Sequence, residues 1–166
     1  MRATNLQEAF ESFSSDALRL EGLPLYSVPG EVEARRAVAS GQTPDFSFLD
    51  AWISMVTSAS SSGRTVRRIR LVGDPLSDYE AFELGFGYPL TAQAGEQIRV
   101  LARSTSPTPL NDYWIFDHEV AFSMQYDPAG AFLGADKVSP ADATRIIESI
   151  ESLWSAGSPW TAFRLM

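Results

Sequence analysis

The residues best suited to chemistry are arginines on a short β-rich segment, RTVRRIRLVG. Side chains alternate between the two faces of a strand, so Arg68 and Arg70 are expected on one face, roughly 7 Å apart along the backbone. Arginine presents a planar fork of donors that suits carboxylate or phosphate groups. The spacing therefore predicts a cluster that either binds an anion or forms salt bridges with buried carboxylates.

Two more arginines and two carboxylates are candidate members of this cluster. Arg99 or Arg103 would bring a third guanidinium group if the next predicted strand lies beside the first and faces the same way. Glu96 and Arg99 are three residues apart and face opposite sides of a strand, so Glu96 is expected to reach an arginine of the first strand. Asp117 is the second carboxylate predicted to meet the arginines.

An aromatic strand is predicted at DYWIFDH. Trp114, Phe116 and His118 share one face of it, and a ligand or partner is expected to dock near residues 112–116 and the arginine strand. Asp117 and His118 do not form an acid/base pair in this interpretation, because adjacent strand residues point to opposite faces. We expect them in the turn of a hairpin.

The composition excludes several kinds of catalytic and metal site. The chain has no cysteine, which excludes disulfides, zinc–cysteine sites, iron–sulfur clusters and a thiol nucleophile. Its single histidine, His118, excludes a two-histidine metal or acid/base scheme within one subunit. The sequence motifs of calcium loops, phosphate-binding loops and serine hydrolases are absent. The sequence predicts no cofactor, no metal site and no catalytic residue.

The overall charge argues against nucleic acid as a direct partner. The 166-residue chain carries 13 Lys and Arg against 21 Asp and Glu, a formal net charge of −8. Affinity for nucleic acid comes mainly from neutralised phosphates, which an acidic chain provides poorly. No apolar run reaches the length of a membrane span or of a signal peptide. We expect a cytoplasmic protein that contacts neither nucleic acid nor membrane directly.

The residues with chemical potential fall in the second part of one predicted domain, residues 1–166. Residues 1–62 are predicted to form helices and turns, and residues 63–166 follow the order β–α–β–β–β–α. The predicted fold class is therefore α+β, or mixed α/β. A helical N-terminal third packs on a mixed β-sheet, and an amphipathic helix closes the chain.

Within the second part, connection lengths predict how strands pair. Residues 64–72, 77–86 and 97–103 form a strand, a helix and a strand with a link long enough for a parallel crossover. A tight turn joins 112–118 to 120–126, which predicts an antiparallel hairpin. A proline-rich loop is predicted between these two units.

Capping residues predict where helices begin. Thr4 with Gln7 has the spacing of a capping box, and Ser47, Ser77 and Ser139 are each placed to cap a helix. Helix 31–39 is predicted after a proline and before a glycine.

Short motifs spread along nearly the whole chain carry a family resemblance. They comprise Leu20, Glu21, Tyr26, Trp52, Val66, Arg68, Arg70, Pro75, Ser77, Tyr79, Gly95, Glu96, Arg99, Asp112, Trp114, Phe116 and Asp117. The set resembles an actinobacterial family of unknown function whose members are commonly encoded beside helix-turn-helix regulators. The resemblance implies such a regulator as the protein partner. His118 and Glu119 depart from the family pattern, so no catalytic role is assigned to His118.

The C-terminal two thirds also resembles the phospholipase D-like fold that some regulators use as a sensor. The shared features are a Gly-Glu-x-x-Arg segment, a strand with Phe-x-Asp character, a hairpin and a last helix ending in Leu-Trp. Phospholipase chemistry needs His-x-Lys-x(4)-Asp, contributed twice. Here Glu119 and Val120 follow His118 with no lysine in reach, so the resemblance implies a catalytically inactive sensor.

The sequence features and the family resemblance support three hypotheses about function. The predicted ligand- or partner-binding residues are Arg68, Arg70, Tyr79, Glu96, Arg99, Trp114 and Asp117. The first hypothesis is a non-enzymatic regulatory protein that binds a helix-turn-helix transcriptional regulator. The alternative is a phosphodiesterase-like hydrolase in which an arginine and carboxylate cluster stabilises charge on phosphate. A scaffold without a small ligand is the third, and the oligomeric state stays open.

Overall fold

A computed structural model describes residues 1–106 and 111–163 and shows an α+β fold built on one mixed β-sheet. The sheet has seven strands in the spatial order β6-β5-β4-β1-β2-β3-β7. The strands are β1 (Asp16–Glu21), β2 (Thr65–Val72), β3 (Gln97–Ala102), β4 (Tyr113–Phe116), β5 (Val120–Tyr126), β6 (Phe132–Lys137) and β7 (Ser158–Pro159).

Helical segments cover both faces of this sheet. They are α1 (Leu6–Ser12), α2 (Glu31–Ala39), α3 (Asp50–Ser61), α4 (Asp78–Phe82), α5 (Tyr88–Ala94) and α6 (Pro140–Ala156). A π-helical segment, Glu83–Gly87, joins α4 to α5 without a break. Short 3-10 turns occur at Ser47–Leu49, Arg103–Thr105 and Trp160–Ala162. No helix in the described part of the chain is long and apolar enough to cross a membrane.

Strand directions confirm both predicted pairings. β2 and β3 are parallel neighbours joined through α4 and α5, as the strand–helix–strand pattern predicts. β4 and β5 form the predicted antiparallel hairpin, with Phe116 opposite Val120. The proline-rich loop predicted before β4 includes residues 107–110, which lie outside the described residues.

The prediction that the first 62 residues are only helices and turns is wrong, because they contribute β1. This strand lies in the middle of the sheet, parallel to β2 and antiparallel to β4. Leu18 and Leu20 alternate with Arg19 and Glu21, yet all six residues of β1 are buried. Its charged side chains have partners far away in sequence, so the local sequence pattern alone does not predict a buried strand here.

The sheet separates two apolar layers. On one face, Leu18, Ile69 and Ile115 pack against the apolar stripe of α6, which includes Ile150. On the other face, α1 and α3 cover the β4 aromatic residues, while α5 covers the end of β3. Side chains on β2 alternate between these layers, so Arg68 and Arg70 point toward the second one.

Helix starts follow capping chemistry, with two corrections. Ser77 and Ser139 accept hydrogen bonds from Glu80 N–H and Asp142 N–H, so the predicted caps of α4 and α6 are confirmed. Asn5, not Thr4, caps α1, because the Asn5 side chain accepts from Glu8 N–H. Ser47 begins a 3-10 turn rather than capping α3, which follows it directly.

Candidate functional site

Arg68 lies near the middle of β2 and is held between two carboxylates. Its Nε donates to Glu96 Oε1 at 2.6 Å, and its Nη1 donates to Glu21. The other Glu96 oxygen accepts from the Trp52 indole N–H at 3.0 Å. The predicted contact between Glu96 and the arginine strand is confirmed. Of the two alternatives that the spacing left open, the geometry shows the salt-bridged one.

Arg70 is completely buried, and its guanidinium group donates hydrogen bonds to a carboxylate and to a backbone carbonyl oxygen. Its Nε and Nη2 donate to Glu83 Oε1 at 2.9 and 2.7 Å, and its side chain is 0% exposed. Its Nη1 donates to the carbonyl oxygen of Leu23 at 2.6 Å. The arginine thus connects the sheet to the π-helical segment on one side and to the loop after β1 on the other.

Arg19 is a third arginine of this cluster, and the sequence interpretation missed it. Its Nη2 donates to Asp112 Oδ2 at 3.0 Å and to the Tyr126 hydroxyl at 2.6 Å. The same atom lies 3.8 Å from Glu21 Oε2. Leucines that alternate with Arg19 and Glu21 were the available signal for a strand here. Without that strand, neither side chain could be placed beside Arg68.

The same network acts differently on its two central carboxylates. Burial raises the pKa of Glu21, but the charges of Arg68, Arg19 and Arg70 outweigh burial and lower it to about 2. Burial and the negative charge of Glu21 raise the pKa of Glu83 to about 7, although the charge of Arg70 lowers it. Glu21 is therefore ionised at neutral pH, whereas Glu83 titrates close to it.

A tethered loop, residues 22–30, forms one wall of a cavity over this network. Asp112 accepts from Gly22 N–H at 2.9 Å and from the Tyr26 hydroxyl, which ties the loop to the start of β4. Ser27 N–H donates to the carbonyl oxygen of Gly130 at 2.9 Å. Gly130 has φ +84°, and a Cβ there would lie 2.5 Å from the Leu25 carbonyl oxygen. Only glycine allows this close approach.

The cavity has a volume of about 400 Å³ and lies between the loop, α2, α3, the α4–α5 helix and the sheet. Glu21 and Tyr126, the last residues of β1 and β5, line it from the sheet. Most of its remaining wall is aromatic or apolar. The charged and aromatic residues of its wall are Glu21, Tyr26, Glu31, Phe48, Trp52, Arg68, Tyr79, Phe82, Glu83, Tyr88, Tyr126 and Phe132.

Two of the predicted site residues line this cavity, and two lie directly behind its wall. Arg68 and Tyr79 line it, and burial raises the pKa of Tyr79. Arg70 and Glu96 contact the lining residues Glu83 and Arg68. Arg68, Arg70 and Glu96 thus belong to one network of charges beside the cavity, and Tyr79 lies in the cavity wall.

The structure does not bring Arg99 or Arg103 into the cluster. Arg99 pairs with Ile69 in the β2–β3 register, so it faces α6, where its Nη1 donates to the Trp154 carbonyl oxygen at 2.8 Å. Arg103 lies in the turn after β3 and forms a salt bridge to Glu80 at 2.6 Å. The expected third guanidinium group is instead that of Arg19.

Trp114 and the aromatic face of residues 112–116 are in the interior. Trp114 is 5% exposed and contacts the rings of Phe10, Trp52 and Phe116. The expectation that a partner docks on this face is therefore wrong, because α1 and α3 already cover it. Through Trp52, Trp114 supports the cavity wall from behind.

Asp117 lies in the β4–β5 turn and does not approach the arginines, contrary to expectation. Its carboxylate accepts from the backbone N–H groups of Ser14, Ser15 and Asp16 at 3.0, 2.7 and 3.1 Å. Burial raises its pKa, but these hydrogen bonds outweigh burial and lower it to about 2. Asp117 and His118 have φ of +53° and +58°, as the predicted turn requires.

A second cluster of Asp16, His118 and Glu151 lies on the α6 side of the sheet. Their ligand atoms lie within 4.8 Å of one another, a spacing that a metal ion can bridge. Arg67, however, donates to Asp16 at 2.7 Å and to Glu151 at 2.6 Å. The guanidinium group already neutralises both carboxylates, which disfavours a cation in the same place.

Comparison with known structures shows the general fold. The chain is similar to a phospholipase D family member, Nuc from Salmonella typhimurium, with a TM-score of 0.55 and 12% identity over 95% of this chain and 88% of that one. It is also similar to TrmBL2, an archaeal chromatin protein, with a TM-score of 0.45 and 15% identity over 92% of this chain and 47% of that one. At 12% identity the similarity to the phospholipase D family member concerns the fold alone.

Sequence comparison identifies the family. No curated protein matches the chain in sequence. The profile described as "Domain of unknown function (DUF6879)" matches residues 4–165, which is nearly the whole chain. This protein therefore belongs to the DUF6879 family.

Proposed function

We propose that this protein is a non-enzymatic regulatory protein that holds a small molecule in the cavity and acts with a helix-turn-helix regulator. The observation that carries the proposal is the cavity of about 400 Å³, which falls within the usual size range of small-molecule sites. Its wall combines a mostly aromatic surface with a few fixed charged groups. Such a wall is typical of small-molecule sites.

The charged groups around the cavity favour binding over hydrolysis. A phosphodiesterase-like mechanism would use Arg68, Arg70 and Glu96 together with Asp117. The first three are joined in ion pairs, whereas Asp117 holds backbone N–H groups at the other end of β1. His118 also lies in that distant turn, beside Glu151. The residues that the hydrolase hypothesis requires are therefore not brought together at one point of the cavity.

Exposed apolar side chains near the cavity support a protein partner. The large hydrophobic residues that are exposed in the described part of the chain are Leu25, Val28, Val32, Phe86, Phe132 and Leu133. All belong to segments that also line the cavity: the tethered loop, α2, the π-helical segment and β6. Exposed apolar surface of this kind marks interaction sites. A partner bound there would contact the same elements that form the cavity wall.

We expect a phenylalanine at Gly87 to prevent small-molecule binding without unfolding the protein. Gly87 lines the cavity, has an ordinary φ of −78°, and a Cβ there would meet no neighbouring atom within 4 Å. Because Gly87 lines the cavity and a Cβ there has open space, we expect the phenyl ring to occupy the space of a ligand. Both proteins are purified from the cells that naturally produce this protein and are compared by native mass spectrometry. The wild-type chain should carry a non-covalent adduct, and Gly87→Phe should lack it.

Gly87→Ala is the matched control, because it makes the same backbone change while leaving the cavity open. It should keep the adduct, and its helix propensity should be higher than that of glycine. Thermal unfolding confirms that both variants are folded. If wild type carries no adduct, or if Gly87→Phe retains the same adduct, small-molecule binding in this cavity is refuted.

A further inference from the structure

The chemistry of the cavity wall indicates which charge its ligand carries. Three carboxylates line the cavity, those of Glu21, Glu31 and Glu83. Among its described lining residues, Arg68 is the only arginine or lysine. A ligand entering the cavity therefore meets more negative than positive groups at contact distance.

The arginines near the cavity are already occupied by protein groups. Arg68 binds Glu21 and Glu96, and Arg70 binds Glu83 together with the Leu23 carbonyl oxygen. An anionic ligand would have to displace one of these carboxylates and would leave it buried without a partner, which is costly. Anion binding, one of the alternatives that the arginine spacing left open, is disfavoured by this arrangement.

Glu31 is the carboxylate that lacks an ionic partner. Glu21 and Glu83 each form a salt bridge, whereas Glu31 forms none with the described residues, although it is only 8% exposed. Burial raises the pKa of Glu31; the Tyr79 hydrogen bond and the charge of Arg35 oppose this, and Glu21 adds to it. Arg35 itself lies over the Tyr79 ring at 5.0 Å. The N-terminus of α2 offsets part of the Glu31 charge.

With all of its carboxylates ionised, the network carries one negative charge in excess, and burial opposes that state by raising the pKa of Glu31 and of Glu83. The carboxylates are those of Glu21, Glu31, Glu83, Glu96 and Asp112, and the facing guanidinium groups are those of Arg19, Arg35, Arg68 and Arg70. Glu80 is balanced by its own salt bridge to Arg103. A buried charge without a counter-charge is unfavourable, so a single positive charge in the cavity would complete the network.

The aromatic wall suits the same kind of ligand. Tyr26, Tyr79, Tyr88 and Trp52 surround the carboxylates, and aromatic faces attract ammonium groups through their quadrupoles. Phe48 and Phe82 extend the wall with apolar surface for the rest of a molecule. We infer that the cavity binds an organic monocation, an amine or quaternary ammonium on a small apolar body, with the cationic nitrogen against Glu31. This inference rests on the proposed role of the cavity as a ligand site.

Matched probes test the charge directly. Isothermal titration calorimetry at pH 7.5 compares 2-phenylethylammonium, 2-phenylethanol and phenylacetate, which share one body and differ in charge. It also compares choline with its neutral analogue 3,3-dimethylbutan-1-ol. At least one cation should bind at least about tenfold more tightly than its neutral analogue, and phenylacetate should bind more weakly than either phenyl probe.

Glu31→Gln should reduce the advantage of the cation by about tenfold and leave the neutral probes unchanged. Glu33→Gln is the control, because it makes the same change on an exposed residue of the same helix that does not line the cavity. Thermal unfolding of both variants shows whether the fold is kept. Equal affinity for cation and neutral analogue, tighter binding of phenylacetate, or no binding of either cation overturns the inference.

The Gly87 experiment separates this inference from the proposed function. An adduct that is lost in Gly87→Phe but whose mass identifies a neutral or anionic molecule would refute the cationic ligand and leave the ligand-binding function intact. The absence of any cavity-dependent adduct would refute the function itself.

Discussion

Replacing Arg70 with methionine is expected to lower the free energy of unfolding by about 3–5 kcal/mol. Methionine fills much of the same volume, but it leaves the buried Glu83 carboxylate without its only salt bridge among the described residues. The carbonyl oxygen of Leu23 also loses its guanidinium donor. The cost arises because the buried Glu83 must either stay charged without a counter-charge or take up a proton, and because the Arg70 hydrogen bonds are lost. Urea unfolding monitored by tryptophan fluorescence measures it.

Two variants show whether the charge is the cause. Arg145→Met removes an exposed arginine that pairs with Asp142 on the surface of α6, and should change stability by less than about 0.5 kcal/mol. The double variant Arg70→Met with Glu83→Gln removes both charges and should recover roughly half of the loss. A loss below about 1 kcal/mol for Arg70→Met alone would show that the pair is not a structural element of the cavity wall.

Asp112→Ala is expected to destabilise the protein by about 3–5 kcal/mol and to release the tethered loop. The carboxylate is the salt-bridge partner of buried Arg19 and the acceptor for Gly22 N–H and the Tyr26 hydroxyl. Its removal leaves a buried guanidinium group undercompensated and frees one wall of the cavity. Urea unfolding measures the stability, and hydrogen exchange of the Gly22 amide measures the release of the loop.

The exposed Asp136 on β6 provides the control for this change. Asp136→Ala removes an aspartate from a strand of the same sheet, where the side chain is solvated, and should leave both readouts nearly unchanged. If Asp112→Ala keeps the slow exchange of the Gly22 amide, the loop is held by other contacts and Asp112 is not its tether.

Local chemistry made much of the fold predictable from sequence. Ser77 and Ser139 cap helices because serine hydroxyls accept the free N–H groups of a first turn, and this needs no tertiary information. The hairpin of β4 and β5 followed from its short link in the same way. β1 was missed because its buried charges, Arg19 and Glu21, resemble solvated residues until their partners on β2 and β4 are known.

The candidate site was only partly predictable, because many of its residues meet partners that are distant in sequence. The contact between Arg68 and Glu96 followed from strand periodicity and neighbouring strands. The cavity itself depends on segments that are distant in sequence: Tyr26 on the tethered loop, Phe48 before α3 and Gly130 in a turn. Glu31 gave no signal in the sequence, because its missing counter-charge appears only when the surrounding side chains are placed.

The affinity of this chain for a helix-turn-helix regulator, the partner that we propose for it, tests the central claim most directly, because the claim joins an occupied cavity to a partner. Reciprocal coupling of two binding sites typically changes affinity about 5- to 150-fold. We predict a complex at micromolar concentrations whose dissociation constant differs at least about fivefold between ligand-loaded wild type and Gly87→Phe. Ligand-stripped wild type should match the variant. No complex, or one affinity for all three forms, would contradict the account.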